Sequence, residues 1–268
     1  MANEASTDDD WTWADDSDWV PPAIDTKTPS VARMYDFFLG GKDNFAVDRA
    51  AAEQFLKGYP DVADVARANR AYLARSVRAM AEAGIDQFLD LGTGIPTSPN
   101  VHEVARQVHP KASVVYLDHD PIVVVHDQAL LADDERVVTV QRDLCAPDDV
   151  LNDPHVRSVL DLDRPLGLLM IAVLHFVDPV SGPSITARYI DALAPGSQLA
   201  VTIGVRDGVD PAVLAEHELV YSRSNAPIHL RTLAQVDEVL TGLDVVAPGI
   251  EDVHFSPHGH VVGARAIR

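Results

Sequence analysis

From Gln87 onward, short apolar runs alternate with longer stretches whose apolar residues recur at every third or fourth position. The runs Gln87–Leu91, Ser113–Leu117, Val137–Val140, Gly167–Leu174 and Gln198–Ile203 predict buried strands. Helical spacing predicts helices over Asn100–His109, Pro121–Leu131, Ser184–Leu193, Pro211–Arg223 and Thr232–Leu240. Such alternation predicts an α/β fold with a mostly parallel sheet covered on both faces. The last segments, Leu243–Val246 and His260–Ala266, are separated by a Pro/Gly-containing loop too short for a crossover helix. They predict an antiparallel hairpin at the sheet edge.

Ahead of the first strand the pattern is helical. PSVARMYDFFLGG opens with proline and serine and stops at Gly40-Gly41, and Ala46–Lys57 and Asp61–Glu82 read as two further helices. Residues 29–84 thus form an N-terminal helical prelude to a second unit, 85–268. Residues 1–28 differ again. They carry eight acids against one base, together with all three tryptophans, and predict a disordered acidic tail or docking segment.

Composition narrows the function. The 47% apolar content supports a sizeable core, and no apolar run reaches membrane-spanning length. The net charge of −20 argues against direct nucleic-acid binding and favours a small or neutral substrate. With one cysteine and no signal-like N-terminus, a cytoplasmic location is expected. The histidines His229, His254, His258 and His260 lack metal-ligand spacing, so no metal is expected.

The most specific chemistry lies in QFLDLGTG, residues 87–94, an apolar strand running into a Gly-x-Gly turn. A dinucleotide loop needs positive potential and usually a third glycine, yet Thr97 holds that position and Asp90 would repel a diphosphate. S-adenosyl-L-methionine has no phosphate and carries a cationic sulfonium and ammonium. Asp90 suits that ammonium, while Gly92, Thr93 and Gly94 let the backbone approach the ligand. Asp118, ending the second strand, can accept from both ribose hydroxyls. Asp143, after the third, can accept from the adenine amine while Leu144 packs on the ring. His119 either lines the adenine or faces solvent; Asp120 reads as a helix N-cap. The fourth strand ends in IAVLHF, which places Val173 beside the cofactor and offers His175 as a general base or as a satisfied strand-end histidine. An NAD-dependent oxidoreductase remains an alternative, since Asp118 suits either ribose.

With these residues placed, the chain resembles the class I methyltransferases. More narrowly, it is similar to an actinobacterial S-adenosyl methyltransferase family once catalogued as a domain of unknown function. The motifs are PSVARMYDFFLGGKDNFAVDRAAAE (29–53), ARANRAYLARSVR (66–78), FLDLGTGIPTSPNVHEVA (88–105), VVYLDHDP (114–121) and LDLDRPLGLLMIAVLHFV (160–177). The resemblance implies a Rossmann-like, seven-stranded sheet whose last strand is antiparallel. It also implies a helical cap over the cofactor, with Tyr35, Lys42, Asn44 and Arg70 as pocket residues. Where the acceptor must lose a proton, Tyr35 is a second candidate base beside His175. The implied activity is methyl transfer from S-adenosyl-L-methionine to an unidentified small-molecule acceptor. A non-catalytic sensor or scaffold that binds the same cofactor is the alternative. The closing segment EDVHFSPHGHVVGARAIR departs from the family's usual ending.

Overall fold

The computed structural model describes residues 25–131 and 134–268. The acidic tail expected over residues 1–28 lies almost wholly outside the described residues. Three helices come first: α1 (Val31–Phe38), α2 (Ala46–Gly58) and α3 (Val62–Glu82). The alternating part then runs β1 (Gln87–Leu91), α4 (Val101–Ala105), β2 (Ser113–Asp118), α5 (Pro121–Leu131) and β3 (Val137–Gln141). It continues with α6 (Pro147–Leu151), α7 (Pro154–Val159), β4 (Gly167–Ile171), α8 (Gly182–Ala192), β5 (Gln198–Val205), α9 (Pro211–Tyr221) and α10 (Leu233–Val239). Three strands close the chain: β6 (Asp244–Val245), β7 (Glu251–Ser256) and β8 (Gly259–Ile267).

The strand order is β3-β2-β1-β4-β5-β8-β6, with β1 to β5 parallel and β8 antiparallel to β5. This is the Rossmann-like arrangement expected. The sheet holds eight strands, yet it is seven positions wide, because β6 and β7 pair with different parts of the same edge of β8. The loop expected before the last strand therefore contains β7, returning through a tight turn at Pro257-His258. The short α6 and α7 also escaped the periodicity, since each spans hardly more than one helical turn after an initial proline.

Side chains alternate across the sheet. Leu89, Leu91, Val115, Leu168 and Met170 enter one core with Tyr189 of α8 and Val236 of α10. Phe88, Val114, Tyr116 and Leu169 face the other way, against Leu73, Val77 and Met80 of α3. A third cluster joins α1, α2 and α9 through Met34, Phe38, Phe55 and Tyr221. The strand order reverses between β1 and β4, which opens a crevice at their carboxyl ends.

Buried polar contacts pin the first helices to that crevice. Ser30 occupies the N-cap of α1 but makes no capping bond. Its hydroxyl instead donates to Asp120 Oδ2 at 2.7 Å, and its backbone N–H to Asp48 Oδ1 at 2.9 Å. Arg33 Nε donates to the other oxygen of Asp48 at 2.7 Å. Asp120 also caps α5, accepting from the Ile122 N–H at 2.9 Å, as the sequence predicts.

Candidate functional site

A cavity of about 450 Å³ opens at the topological crevice. Its size is that of a small-ligand site. Asp90, Gly92, Thr93, Gly94, Asp118, His119, Asp143, Leu144, Val173, His175 and Tyr35 all line it, although they come from positions 35 to 175. Arg70 of α3 lines it too. Lys42 and Asn44, implied as pocket residues by the resemblance, do not. The buried Asp36 carboxylate takes them away from the cavity: it accepts from the Asp43 N–H at 3.0 Å and from Asn44 Nδ2 at 2.7 Å. GGKDN is therefore a turn organised by Asp36, and Lys42 points to solvent.

The glycine turn after β1 is left-handed at Gly92 and Gly94, with φ of +73° and +67°. Asp118 fixes its far side, its Oδ2 accepting from the Gly94 N–H at 3.0 Å and its Oδ1 from the Asp120 N–H at 3.0 Å. Each carboxylate oxygen keeps a second lone pair. Asp143 sits exposed on the next loop and accepts from the Cys145 N–H at 2.8 Å, while the buried Leu144 packs beneath it. The His119 ring is exposed, 3.5 Å from Asp118 Oδ1.

Electrostatically the site is short of cations. Burial raises the Asp90 carboxyl to about 7, with Asp118 adding to the effect and Arg70 and the Thr93 hydroxyl opposing it. Burial also raises Asp118. Behind the cavity, on α5, Asp127 is raised to about 8, by burial first and then by Asp90 and Asp118. Its Oδ2 has no hydrogen-bond partner among the described residues. Sequence reasoning passed over Asp127 because a helical aspartate is ordinarily solvated; the signal was its place in the apolar helix PIVVVHDQALL.

One outcome follows for stability. Because its folded-state pKa is raised, Asp127 holds a proton in the native protein that the unfolded chain releases near pH 4. The native state therefore loses stability as pH climbs from about 4 to 8, by up to about 1.4 kcal/mol per unit. Asp127→Asn removes that slope, so the melting temperature of the variant relative to wild type should rise with pH up to about 8. Parallel thermal melts across this range check it; a constant difference would contradict a raised Asp127.

The fourth strand stops at Ile171 rather than at Leu174. Ala172 takes a left-handed φ of +54°, and Leu174–Phe176 form a 3-10 turn. A non-glycine residue there is strained and needs outside support. That support is a polar relay: the Ala172 N–H donates to Thr202 Oγ1 at 2.8 Å, and the Thr202 hydroxyl to Asn69 Oδ1 at 2.6 Å. Asn69 Nδ2 donates to Tyr35 Oη at 2.9 Å, which donates to the Ala66 carbonyl at 3.1 Å. Asn69 and Thr202 could not be singled out from the sequence, since their partners lie on α1 and just beyond the end of β4.

The relay commits the Tyr35 hydroxyl, and burial raises its pKa. His175 is held neutral as well. Burial and then the Arg231 charge push it down to about 3, and its Nδ1 accepts from the Gly204 N–H at 3.2 Å. Arg231, itself fully buried, fastens the turn by donating to the carbonyls of Leu174 and Val177. Neither candidate base is poised to take a proton at neutral pH.

Comparison with known proteins agrees with this geometry. No curated protein matches the chain. A family model described as S-adenosyl methyltransferase matches residues 17–261. Among solved structures, the chain is similar to a duf574 family protein from Streptomyces avermitilis, at 39% identity and a TM-score of 0.86, over 91% of this chain and 99% of that one. It is also similar to a candidate methyltransferase from Thermobifida fusca, at 37% identity and a TM-score of 0.87, over 94% and 99% of the two chains. A match of this extent shows that the chain belongs to the S-adenosyl methyltransferase family and is a methyltransferase whose cofactor is S-adenosyl-L-methionine.

Proposed function

We propose that the protein methylates a small-molecule acceptor, and that the residues converging on the crevice divide the work as follows. Asp90 and Arg70, opposite charges lining one cavity, hold the ammonium and carboxylate of the cofactor's amino-acid end. Asp118 takes the ribose hydroxyls through its free lone pairs. Asp143 and Leu144 hold the adenine, with His119 at its edge. Val173 and the 3-10 turn flank the methyl group, and α1 and α2 cap the site. The observation that carries this reading is the buried, raised Asp90 at a left-handed glycine turn: a carboxylate in that setting gains most from a cationic, phosphate-free ligand.

When bound, the cofactor supplies an electrophilic methyl on a sulfonium. An acceptor lone pair would take that methyl while the carbon–sulfur pair returned to sulfur, and any proton the acceptor sheds would pass to water at the cavity mouth. The chain's own contribution is orientation and exclusion of water. Tyr35 and His175 shape the cavity and move no proton.

Calorimetric titration with S-adenosyl-L-methionine and S-adenosylhomocysteine, followed by transfer of a labelled methyl to a small-molecule acceptor panel, tests the proposal. With an acceptor in hand, His175→Asn is expected to change turnover without moving any limb of its pH profile between about pH 5 and 9. A limb that disappears in the variant would restore His175 as the base.

A further inference from the structure

The cavity is divided by charge. Its charged side chains, Arg70, Asp90, Asp118, Asp120, Arg142 and Asp143, lie on α3 and at the carboxyl ends of β1, β2 and β3. The other end is walled by Phe38, Phe55, Tyr59, Phe176, His217 and Tyr221, contributed by α1, α2 and the residue that follows it, α9 and the 3-10 turn. These rings form one continuous surface. Phe55 stands 5.8 Å from Phe38, 4.6 Å from His217 and 5.1 Å from Tyr221 between centroids. Tyr59 stacks on His217 at 5.0 Å and 8°, and Phe176 continues the wall 5.5 Å from Tyr221. No carboxylate or guanidinium belongs to this end among the described lining residues. His217 is itself 2% exposed, and burial pushes it down to about 4, so its ring is neutral.

We propose that this end is the acceptor compartment and that it takes an uncharged, flat aromatic molecule bearing a polar ring substituent, an inference that rests on the methyl-transfer reading above. Flat rings meet a wall of aromatic faces and edges in offset or T-shaped contacts worth more than the area they bury. A charged acceptor would lose its hydration with no counter-ion at hand. A saturated molecule of equal size would fill the space without the ring contacts. The polar substituent is the heteroatom whose lone pair receives the methyl group, which an unsubstituted ring does not offer.

Three size-matched probes separate these terms: naphthol, naphthoate and decahydronaphthol, titrated into the full chain saturated with S-adenosylhomocysteine. Naphthol is expected to bind about tenfold more tightly than either of the others. Phe55→Leu should weaken naphthol about fivefold and leave S-adenosylhomocysteine binding unchanged, the latter also reporting that the variant is folded. Equal or tighter binding of decahydronaphthol or naphthoate, or no naphthol binding at all, overturns the proposal. If S-adenosylhomocysteine itself fails to bind the wild type, the methyl-transfer reading fails first; if it binds and the probe order is wrong, only the acceptor assignment does.

Discussion

Replacing Asp90 with asparagine is expected to weaken binding of S-adenosyl-L-methionine by about two orders of magnitude at neutral pH, the scale for losing one partner of a buried charge pair. The pH dependence should change with it. Burial holds the Asp90 carboxyl of the free protein at about 7, so a proton occupies it below that pH. The ligand's ammonium favours the ionised form, and binding therefore expels the proton. Wild-type affinity should rise up to about tenfold per pH unit between roughly pH 5 and pH 7, then level off. The asparagine variant has no proton to expel and should bind with the same low affinity throughout. Calorimetry in buffers of different ionisation enthalpy reads both the affinity and the released proton. A variant within about threefold of wild type, or a flat wild-type curve, removes Asp90 from the ammonium site.

Much of this was legible from the chain because buried parallel strands have an unambiguous signature. QFLDL and SVVYLD are buried on both faces, and turn chemistry follows directly after Asp118 and one residue after Asp90, the acids that reach the cavity. That is why Asp90 and Asp118 could be assigned to strand ends from spacing alone. Their convergence follows from topology, since strand ends at a switch point share one crevice whatever the intervening loops do.

What stayed hidden depends on packing between distant segments. Ala172 gives no sign in IAVLHF that the strand breaks there; the reason lies in Thr202 and Asn69, on β5 and α3. The aromatic wall was invisible for a related reason. Phe55 and Tyr221 each read as an apolar residue on a helix, and only the meeting of α2 with α9 turns them into a surface. Base candidacy fails in the same way: a histidine at a strand end is a plausible base until its neighbours are known. The structure places it beside Gly204 and Arg231, which leave it neutral with one nitrogen engaged. The divergent C-terminal segment gains meaning as well, since its Gly259, His260 and Val261 line the cavity, and a Cβ at Gly259 would stand 2.0 Å from Tyr59 Oη.

At the glycine turn, two residues with nearly equal φ are expected to respond very differently to alanine. Either substitution places a side chain in the left-handed region, a cost of about 1–2 kcal/mol. At Gly92 the new Cβ would also stand 2.4 Å from Val173 Cγ2 and 3.0 Å from Val173 Cβ. Valine is too short and stiff to swing aside, so overpacking adds about 1–3 kcal/mol. Gly92→Ala should therefore lower the melting temperature by roughly 5–15 °C, and Gly94→Ala by roughly 3–6 °C, at the usual response for a domain of this size. Val173→Ala removes the colliding methyl groups. Combined with Gly92→Ala it should give a favourable coupling of about 1–2 kcal/mol, and strict additivity would mean that Val173 is not what Gly92 accommodates. Gly94 isolates the ligand's share of the requirement. No protein atom lies within 4 Å of its would-be Cβ, so the added methyl enters the cavity rather than the core. A Gly94→Ala protein that loses no more than this in melting temperature yet binds S-adenosyl-L-methionine poorly places the cofactor against that turn. Normal binding would mean that this glycine serves only the path of the backbone.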